Sequence, residues 1–497
     1  MSRSPDFDIQ GLPAPPALLH FVGIGGVGMS GLARMLVRRG YEVTGSDIAH
    51  SPVVAALLRE GIPVSIGHGA KNLGEADLVI ATAAVPADNP ELVESRARGI
   101  PIIKRAAVLG MLAAHRTSIA VAGTHGKSTT SGMLAYSLDV GGFAPSFAVG
   151  ADITQLGTNA RGGDGPVFVA EADEYDRSFL WLKPDVAIIT NIEHDHPDIF
   201  PTLEDVEEAF DAFVDGIKPG GTLVVSADDP GCRILLARHS SLPEQVVTFG
   251  VSDRADWQIE RVAGRDHFRM PDGNVIRTRL RMPGLHNRLN AAACLAAAAA
   301  VGVDPSSLLP GLEQFDGVGR RFELKAVAGD ITIVEDYAHH PTEIRATIGA
   351  ARERYPAAKI IVVFQPHTYS RTLALLSEFA SALSLADHVV LAPIYAARES
   401  DDMGVSSEAI GELIDTIPVE IGTSLDVTAE LAVAAARPGD LILVTGAGDV
   451  WKVSLKAADA LTPGAALTPD PSPARRERGE TKKDDEASSG GREEIGA

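Results

Sequence analysis

The residues with the most chemistry in this chain lie at 123–129, where "GTHGKST" follows the apolar run 118–122. Backbone N–H groups at a helix start can hold phosphate oxygens, a lysine can neutralise β- and γ-phosphates, and a hydroxyl can ligate Mg²⁺. Gly123, Thr124, His125, Gly126, Lys127, Ser128 and Thr129 supply each of these parts. A plain strand-to-helix turn accounts for the glycines but not for a lysine followed by hydroxyls, so the stretch reads as a nucleotide site. The loop is short, however: only Thr124 and His125 separate the two glycines, where the common phosphate loop has four residues before its Gly-Lys pair.

Carboxylates cluster further on. Glu171, Asp173, Glu174 and Asp176 follow the apolar run "VFVA", and Asn191, Glu193, His194, Asp195 and His196 follow "VAIIT". In α/β proteins such positions fall at the carboxyl edge of a sheet, where ligands bind. Oxygen and imidazole donors beside a phosphate loop suit Mg²⁺, and zinc is disfavoured without cysteine or a helical histidine pair. A second glycine turn, "FVGIGGVGMSG", places Gly23, Gly25, Gly26, Val27, Gly28 and Ser30 before a helix, with Asp47 ending the next strand. That pattern fits an NAD-linked oxidoreductase as well as any other diphosphate ligand, because small residues simply let backbone approach phosphate. Nothing else in the chain suggests hydride chemistry.

A third set of polar residues sits late in the chain: Arg320 and Arg321 in "RRF", Asp336, His339 and His340 in "DYAHHP", and His367 and Arg371 in "FQPHTYSR". Together they put cations and a ribose-capable carboxylate at strand ends. Asn287 and Asn290, in "GLHNRLNAAACLAAAAA", can read a base edge, while the alanines that follow permit close helix packing.

Positioning these groups requires alternating strands and helices, and apolar β-type runs do alternate with helical patterns along the chain, so the fold class is α/β with parallel sheets. Three units are expected, at 1–108, 109–316 and 317–461, followed by a segment at 462–497 without apolar periodicity that is expected to be disordered. The 497 residues suit three cores. A net charge of −22 opposes nucleic-acid binding. Cys232 and Cys294 have no metal-ligand spacing and are too few for a disulfide framework, which fits a reducing cytoplasm. The N-terminal stretch has acids and prolines where a signal peptide needs a basic end and an apolar core. The run 291–303 is too short to span a bilayer.

In order, "GTHGKSTT", "NIEHDH", "HNRLNAAA", "RRFE" and "DYAHHP" resemble the successive signatures of the Mur ligases, ATP-dependent amide-forming enzymes of peptidoglycan synthesis. The resemblance runs from about residue 18 to 460. It implies a Rossmann-like N-terminal domain for a UDP-sugar, a central P-loop ATPase-like domain and a Rossmann-like C-terminal domain. "HFVGIGGVGMSGLARML", "EADEYDRSFL" and "GAGDVW" are most similar to the branch that joins L-alanine to UDP-N-acetylmuramate. The branch that attaches a preformed tripeptide to the same sugar nucleotide is the alternative. Two departures stand out, Arg398-Glu399 for the family's Gly-Glu and Thr82-Ala83 for its Ser-Ser.

Residue by residue, the resemblance implies UDP-sugar contacts at Gly23, Gly25, Gly26, Val27, Gly28, Ser30, Asp47, Asp173 and Glu174. Lys127 would neutralise the phosphates. One Mg²⁺ would be held by Ser128 and Glu171, and a second by His196 with Glu171. Asn191 would order the phosphate region, Asn287 the adenine, Arg320 or Arg321 the γ-phosphate and Asp336 the ribose. His339, His367 and Arg371 would meet the reacting ends of the substrates. The expected protein is a monomer or weak homodimer, with no membrane insertion.

Overall fold

The computed structural model describes residues 11–461 except 83, 198, 240 and 398. The segment at 462–497, Ala83 and Arg398 therefore lie outside the described residues. Three sheets organise the chain. The first has strands in the order Val64–Ile66, Glu42–Asp47, Leu18–Val22, Leu78–Ala81 and Ile102–Lys104, all parallel. Its order reverses beside Leu18–Val22, and the glycine turn sits at that strand's carboxyl end, the place where open α/β sheets take ligands.

The central sheet has ten strands. Its parallel core runs Trp257–Val262, Gln245–Gly250, Thr222–Ser226, Val186–Ile189, Thr117–Ala122, Val167–Glu171 and Ser146–Ile153. The core strands Val186–Ile189 and Thr222–Ser226 are buried along their whole length, so they read as unbroken apolar runs. Antiparallel additions at both ends were not expected: Thr158–Arg161 at one, and Arg265–Arg269 with Val275–Thr278 at the other. These outer strands mix charged with apolar residues because only one face is covered, and so they leave no apolar run to read.

The third sheet runs Glu323–Ala328, Ile331–Asp336, Leu441–Thr445, Ile360–Phe364, His388–Leu391 and Val419–Ile421, with only its first pair antiparallel.

Helix starts differ in how their first-turn N–H groups are met. Helices Pro52–Arg59, Pro90–Arg98, Leu203–Val214 and Pro230–Arg238 are capped by the side chains of Ser51, Asn89, Thr202 and Asp229. Helices Val27–Arg38 and Lys127–Val140 begin instead at Gly26 and Gly126 with no side-chain cap, leaving first-turn N–H groups available to an anion. Behind the second of these lies helix Leu285–Ala300, whose residues 291–298 are all buried. Small side chains let the two helices approach until Cys294 Sγ meets the Thr130 carbonyl at 3.4 Å. Among the described residues, no helix is long and apolar enough to cross a membrane.

Candidate active site

The phosphate loop is shaped by the strand beside it. Gly123 adopts φ +136°, and a Cβ there would lie 2.0 Å from Thr190 Oγ1, so only glycine fits. Thr190 Oγ1 donates to the His125 carbonyl at 2.6 Å, while Asn191 accepts from His125 N at 2.7 Å and donates to His125 O at 3.0 Å. Asn191 thus orders the loop through backbone, and Gly126 turns in the left-handed region to start the helix.

Lys127 Nζ curls over this turn, donating to the carbonyls of Gly123 and Thr124 and pairing with both Glu174 oxygens at 2.9 and 2.8 Å. Burial works against the ammonium, but Glu174 and Asp173 outweigh it and raise its pKa. Glu174 also faces His196 Nε2 at 3.7 Å and so links the lysine to that imidazole. His196 itself sits at φ +56° and packs edge-on to Tyr175. Asp173 accepts from Tyr175 N, whereas His194 turns away to the Phe200 carbonyl.

Glu171 accepts from Ser128 Oγ at 2.9 Å and from Gly150 N at 2.5 Å, and its burial raises its pKa. Gly150 forms a cradle there, since a Cβ would fall 2.5 Å from Glu171 Oε1. A half-buried carboxylate and a hydroxyl in contact are hard oxygen donors, the set that Mg²⁺ takes.

Across the cleft, the third domain supplies the opposite wall. His125, Gly126, Thr129, Asn287 and Asn290 of the central domain line one pocket with Arg321, Asp336 and Glu343 of the third. Asn287 is buried, with its amide donated to Pro283 O, and it neighbours Asn290 at 3.4 Å. Asp336 ends strand Ile331–Asp336, accepts from Phe322 N and Ala338 N, and is pushed by burial up to about 6. Of the paired arginines, Arg321 lines the pocket and binds Glu343 at 2.9 Å. Arg320 turns to its own sheet, donating to Glu335 and Gly446 O.

Glu343 was not singled out in the sequence, yet it gathers three of the residues that were. It accepts from Arg321 and from His339 N, and it stands 3.6 Å from His125 Nδ1. Its place in the first turn after the His-Pro pair was the available signal, since acids there favour a helix start. Burial lowers the pKa of His125, but its hydrogen bonds to the Glu193 and Glu343 carboxylates outweigh it and raise it to about 9. Three histidines of the third domain shift the other way and favour the neutral form: burial pushes His339 down to about 3 and His340 and His367 to about 4, with Arg371 adding to the effect on His339 and His367. Arg371 donates to His367 Nδ1 at 3.2 Å, so the proton of His367 is on Nε2. His339 donates from Nδ1 to the Tyr337 carbonyl, which leaves its Nε2 as an acceptor.

The first glycine turn lies apart from this pocket, on its own sheet. Gly25 N donates to Asp47 Oδ2 at 2.8 Å, and a Cβ on Gly25 would fall 2.8 Å from that oxygen. Gly28 gives room to Arg105, whose Nη1 would lie 2.8 Å from an added Cβ. Val27 O accepts from Ser30 Oγ and from Asn159 of the central domain, so the turn and the second domain are in contact.

Three family models match in succession: "Mur ligase family, catalytic domain" over 18–117, "Mur ligase middle domain" over 121–298 and "Mur ligase, glutamate ligase domain" over 320–448. The chain is 43% identical over 458 residues to a UDP-N-acetylmuramate--L-alanine ligase of Thermobifida fusca, covering 89% of this chain and 96% of that one. Its fold is similar to the crystal structure of the UDP-N-acetylmuramate-alanine ligase MurC from Thermotoga maritima, with 31% identity, a TM-score of 0.72 and coverage of 89% and 98%. A murein peptide ligase from Psychrobacter arcticus is similar at 26% identity and a TM-score of 0.66, covering 91% of this chain and all of that one. These matches take in the first glycine turn and leave the NAD-linked reading without support. Motif order, three sheets and a phosphate loop facing a third domain converge on one assignment: the chain belongs to the Mur ligase family.

Proposed function

We propose that this protein joins L-alanine to the lactyl carboxylate of UDP-N-acetylmuramate, converting ATP to ADP and phosphate. A carboxylate is a poor electrophile in water, so one of its oxygens first attacks the γ-phosphorus and the bond to ADP breaks. The amine of L-alanine then attacks the acyl carbon, a C–N bond forms, the amine proton is lost and phosphate leaves. The observation that carries this reading is the single pocket in which Gly126 and Thr129 of the phosphate loop face Arg321 and Asp336 of the third domain.

Each step asks something of particular residues. Two anions meet at the γ-phosphate, so positive charge must be in place beforehand. Lys127 is held there as an ammonium by its acidic neighbours, and Arg321 adds charge from the opposite wall. Ser128 and Glu171 would hold one Mg²⁺, and His196 with Glu171 a second. Such ions, when bound, neutralise phosphate oxygens. Asp336 would accept from the ribose hydroxyls, with Asn287 at the adenine. Near Asp195 and Arg371, His367 offers a donor and His339 an acceptor at Nε2, suited to orienting a carboxylate and an amine. The uncapped helix Val27–Arg38, Asp47 and the glycines before it would hold the UDP moiety. Closure of the domains excludes water that would hydrolyse the acyl phosphate. The reaction suits the cytoplasm, where ATP is available.

The test is ATP-dependent phosphate release with UDP-N-acetylmuramate and either L-alanine or the preformed tripeptide. Release with L-alanine is expected. Release with the tripeptide alone would move the protein to the recycling branch, and release with neither would remove the ligase reading.

A further inference from the structure

We propose that His125, Glu193 and His340 form a site for one transition-metal dication of the zinc class, assembled where the central and third domains meet. The sequence argued against zinc, because the acidic clusters come without cysteine or a helical histidine pair. The fold supplies what spacing lacks, bringing the phosphate-loop histidine against the histidine that opens helix Pro341–Arg354. Their rings lie 4.6 Å apart between centroids.

The distances suit a small tetrahedral ion. His125 Nε2 is 3.3 Å and His340 Nδ1 3.5 Å from the same Glu193 oxygen, Oε2. All three ligand atoms lie within 4.8 Å of one another. Bonds of about 2.0–2.1 Å in tetrahedral geometry set ligand atoms about 3.3 Å apart, and two imidazoles with one carboxylate are an open zinc set. Mg²⁺ prefers oxygen, so the site differs in kind from Ser128 and Glu171.

A second observation concerns the far side of His125. Its Nδ1 faces Glu343 Oε1 at 3.6 Å, the carboxylate–histidine arrangement that orients metal-bound imidazoles. With N–H on Nδ1, the Nε2 lone pair faces a carboxylate, an arrangement that requires a cation between them. A proton on His125 meets that need with one charge; a dication meets it with two and recruits His340. Around the site stand Glu193 and Glu343, with Arg321 pairing Glu343 and Thr342 Oγ1 donating to Glu193 at 2.7 Å. His340 Nδ1 caps its helix through Thr342 N at 3.3 Å, a long contact that the ion would replace.

Two ligands come from the central domain and one from the third, so a bound ion staples them together. An enzyme that must open to release products then turns over slowly.

The binding measurements use the full chain with Mg²⁺ in excess and no nucleotide, so their outcome is independent of the ligase reading, on which only the turnover assay rests. Zn²⁺ is titrated calorimetrically into the wild type, Glu193→Gln and His340→Asn; asparagine also caps helices, which preserves the fold at that position. Wild type is expected to take up one equivalent that both variants lack. The Co²⁺-loaded wild type is expected to show intense tetrahedral visible bands that vanish in His340→Asn. In a turnover assay, Zn²⁺ at micromolar level is expected to inhibit wild type at least tenfold more strongly than His340→Asn. Equal Zn²⁺ stoichiometry in wild type and His340→Asn would overturn the site, as would a wild type that binds none.

Discussion

Arg371 reaches across the seam between the second and third domains to Asp195, with Nη2 2.6 Å and Nε 3.1 Å from the same oxygen, Oδ1. Both side chains are buried. Thr342 to Glu193 and His125 to Glu343 cross the same seam, so the central domain is tied to the third at three points, two on helix Pro341–Arg354 and one on helix Tyr369–Ala374. Burial opposes the Asp195 charge, but Arg371 outweighs it and holds the carboxyl well below its usual range. The pair therefore favours contact between the two domains while leaving His367 beside the guanidinium.

Removing one member of a buried pair strands the other's charge, which costs roughly 3 kcal/mol or more, equivalent to about 100-fold in a rate or equilibrium. Arg371→Met is expected to lower kcat/KM by about that factor. Asp195→Asn in the Arg371→Met background should cost little further, because the stranded charge is gone. Losses that simply multiply in the double variant would show that the two residues act separately.

Lys127→Ala is expected to abolish detectable phosphate release, a fall of about 1000-fold or more, since a pre-placed charge at the γ-phosphate cannot be replaced by water. Circular dichroism and melting would check that the variant is folded. Near-normal release by a folded variant would remove Lys127 from the reaction.

Gly150→Ala tests the carboxylate behind the phosphate loop. The new Cβ would fall 2.5 and 2.8 Å from the two Glu171 oxygens, and those oxygens are already pinned by Ser128 and Gly150 N. Glu171 must move, so the Mg²⁺ concentration for half-maximal activity is expected to rise about tenfold, as for other disturbed ligand spheres. An unchanged Mg²⁺ requirement would take Glu171 out of the metal site.

Asp336 carries a pH dependence. Burial raises its pKa to about 6, so it is ionised at neutral pH and gains a proton as pH falls through that value. As an ionised acceptor for ribose hydroxyls it weakens when protonated. The KM for ATP is expected to rise between about pH 7 and 5, and Asp336→Asn should have a raised KM that is flat over this range. A wild-type KM that is flat too would detach Asp336 from the nucleotide.

Much of this was readable in the chain because the parts are local. Buried parallel strands such as Val186–Ile189 and Ile360–Phe364 are unbroken apolar runs, and a glycine turn before a helix carries its own signal. Lys127 and Asp336 declare themselves by what immediately surrounds them. Glu343 did not, since its meaning lies in Arg321, His339 and His125, the last of which is brought to it only by the packing of two domains. Charge states were hidden for the same reason: whether His125 is a cation and His339 neutral depends on which carboxylates and arginines the fold sets beside them. The charged outer strands Arg265–Arg269 and Val275–Thr278 were missed because one exposed face leaves no apolar run.

Glu91 gives the last prediction, on stability. It lies fully buried in the first domain, accepting from Ser46 Oγ at 2.6 Å, Asn72 Nδ2 at 2.6 Å and Gly69 N at 3.0 Å, with His20 at 3.4 Å. Burial alone would raise its pKa, but these hydrogen bonds outweigh it and hold the carboxyl down to about 2. The unfolded chain binds this proton near 4.5, more readily than the folded one. Its contribution is therefore complete above about pH 4.5 and is lost as pH falls toward 2, amounting to roughly 3 kcal/mol in total. Glu91→Gln is expected to melt at a lower temperature at neutral pH and to lose less stability than wild type on going from about pH 5 to pH 3. Parallel stability curves for the two proteins over that interval would mean that the carboxyl is not ionised in the fold, and that the four partners around it are held together by something other than its charge.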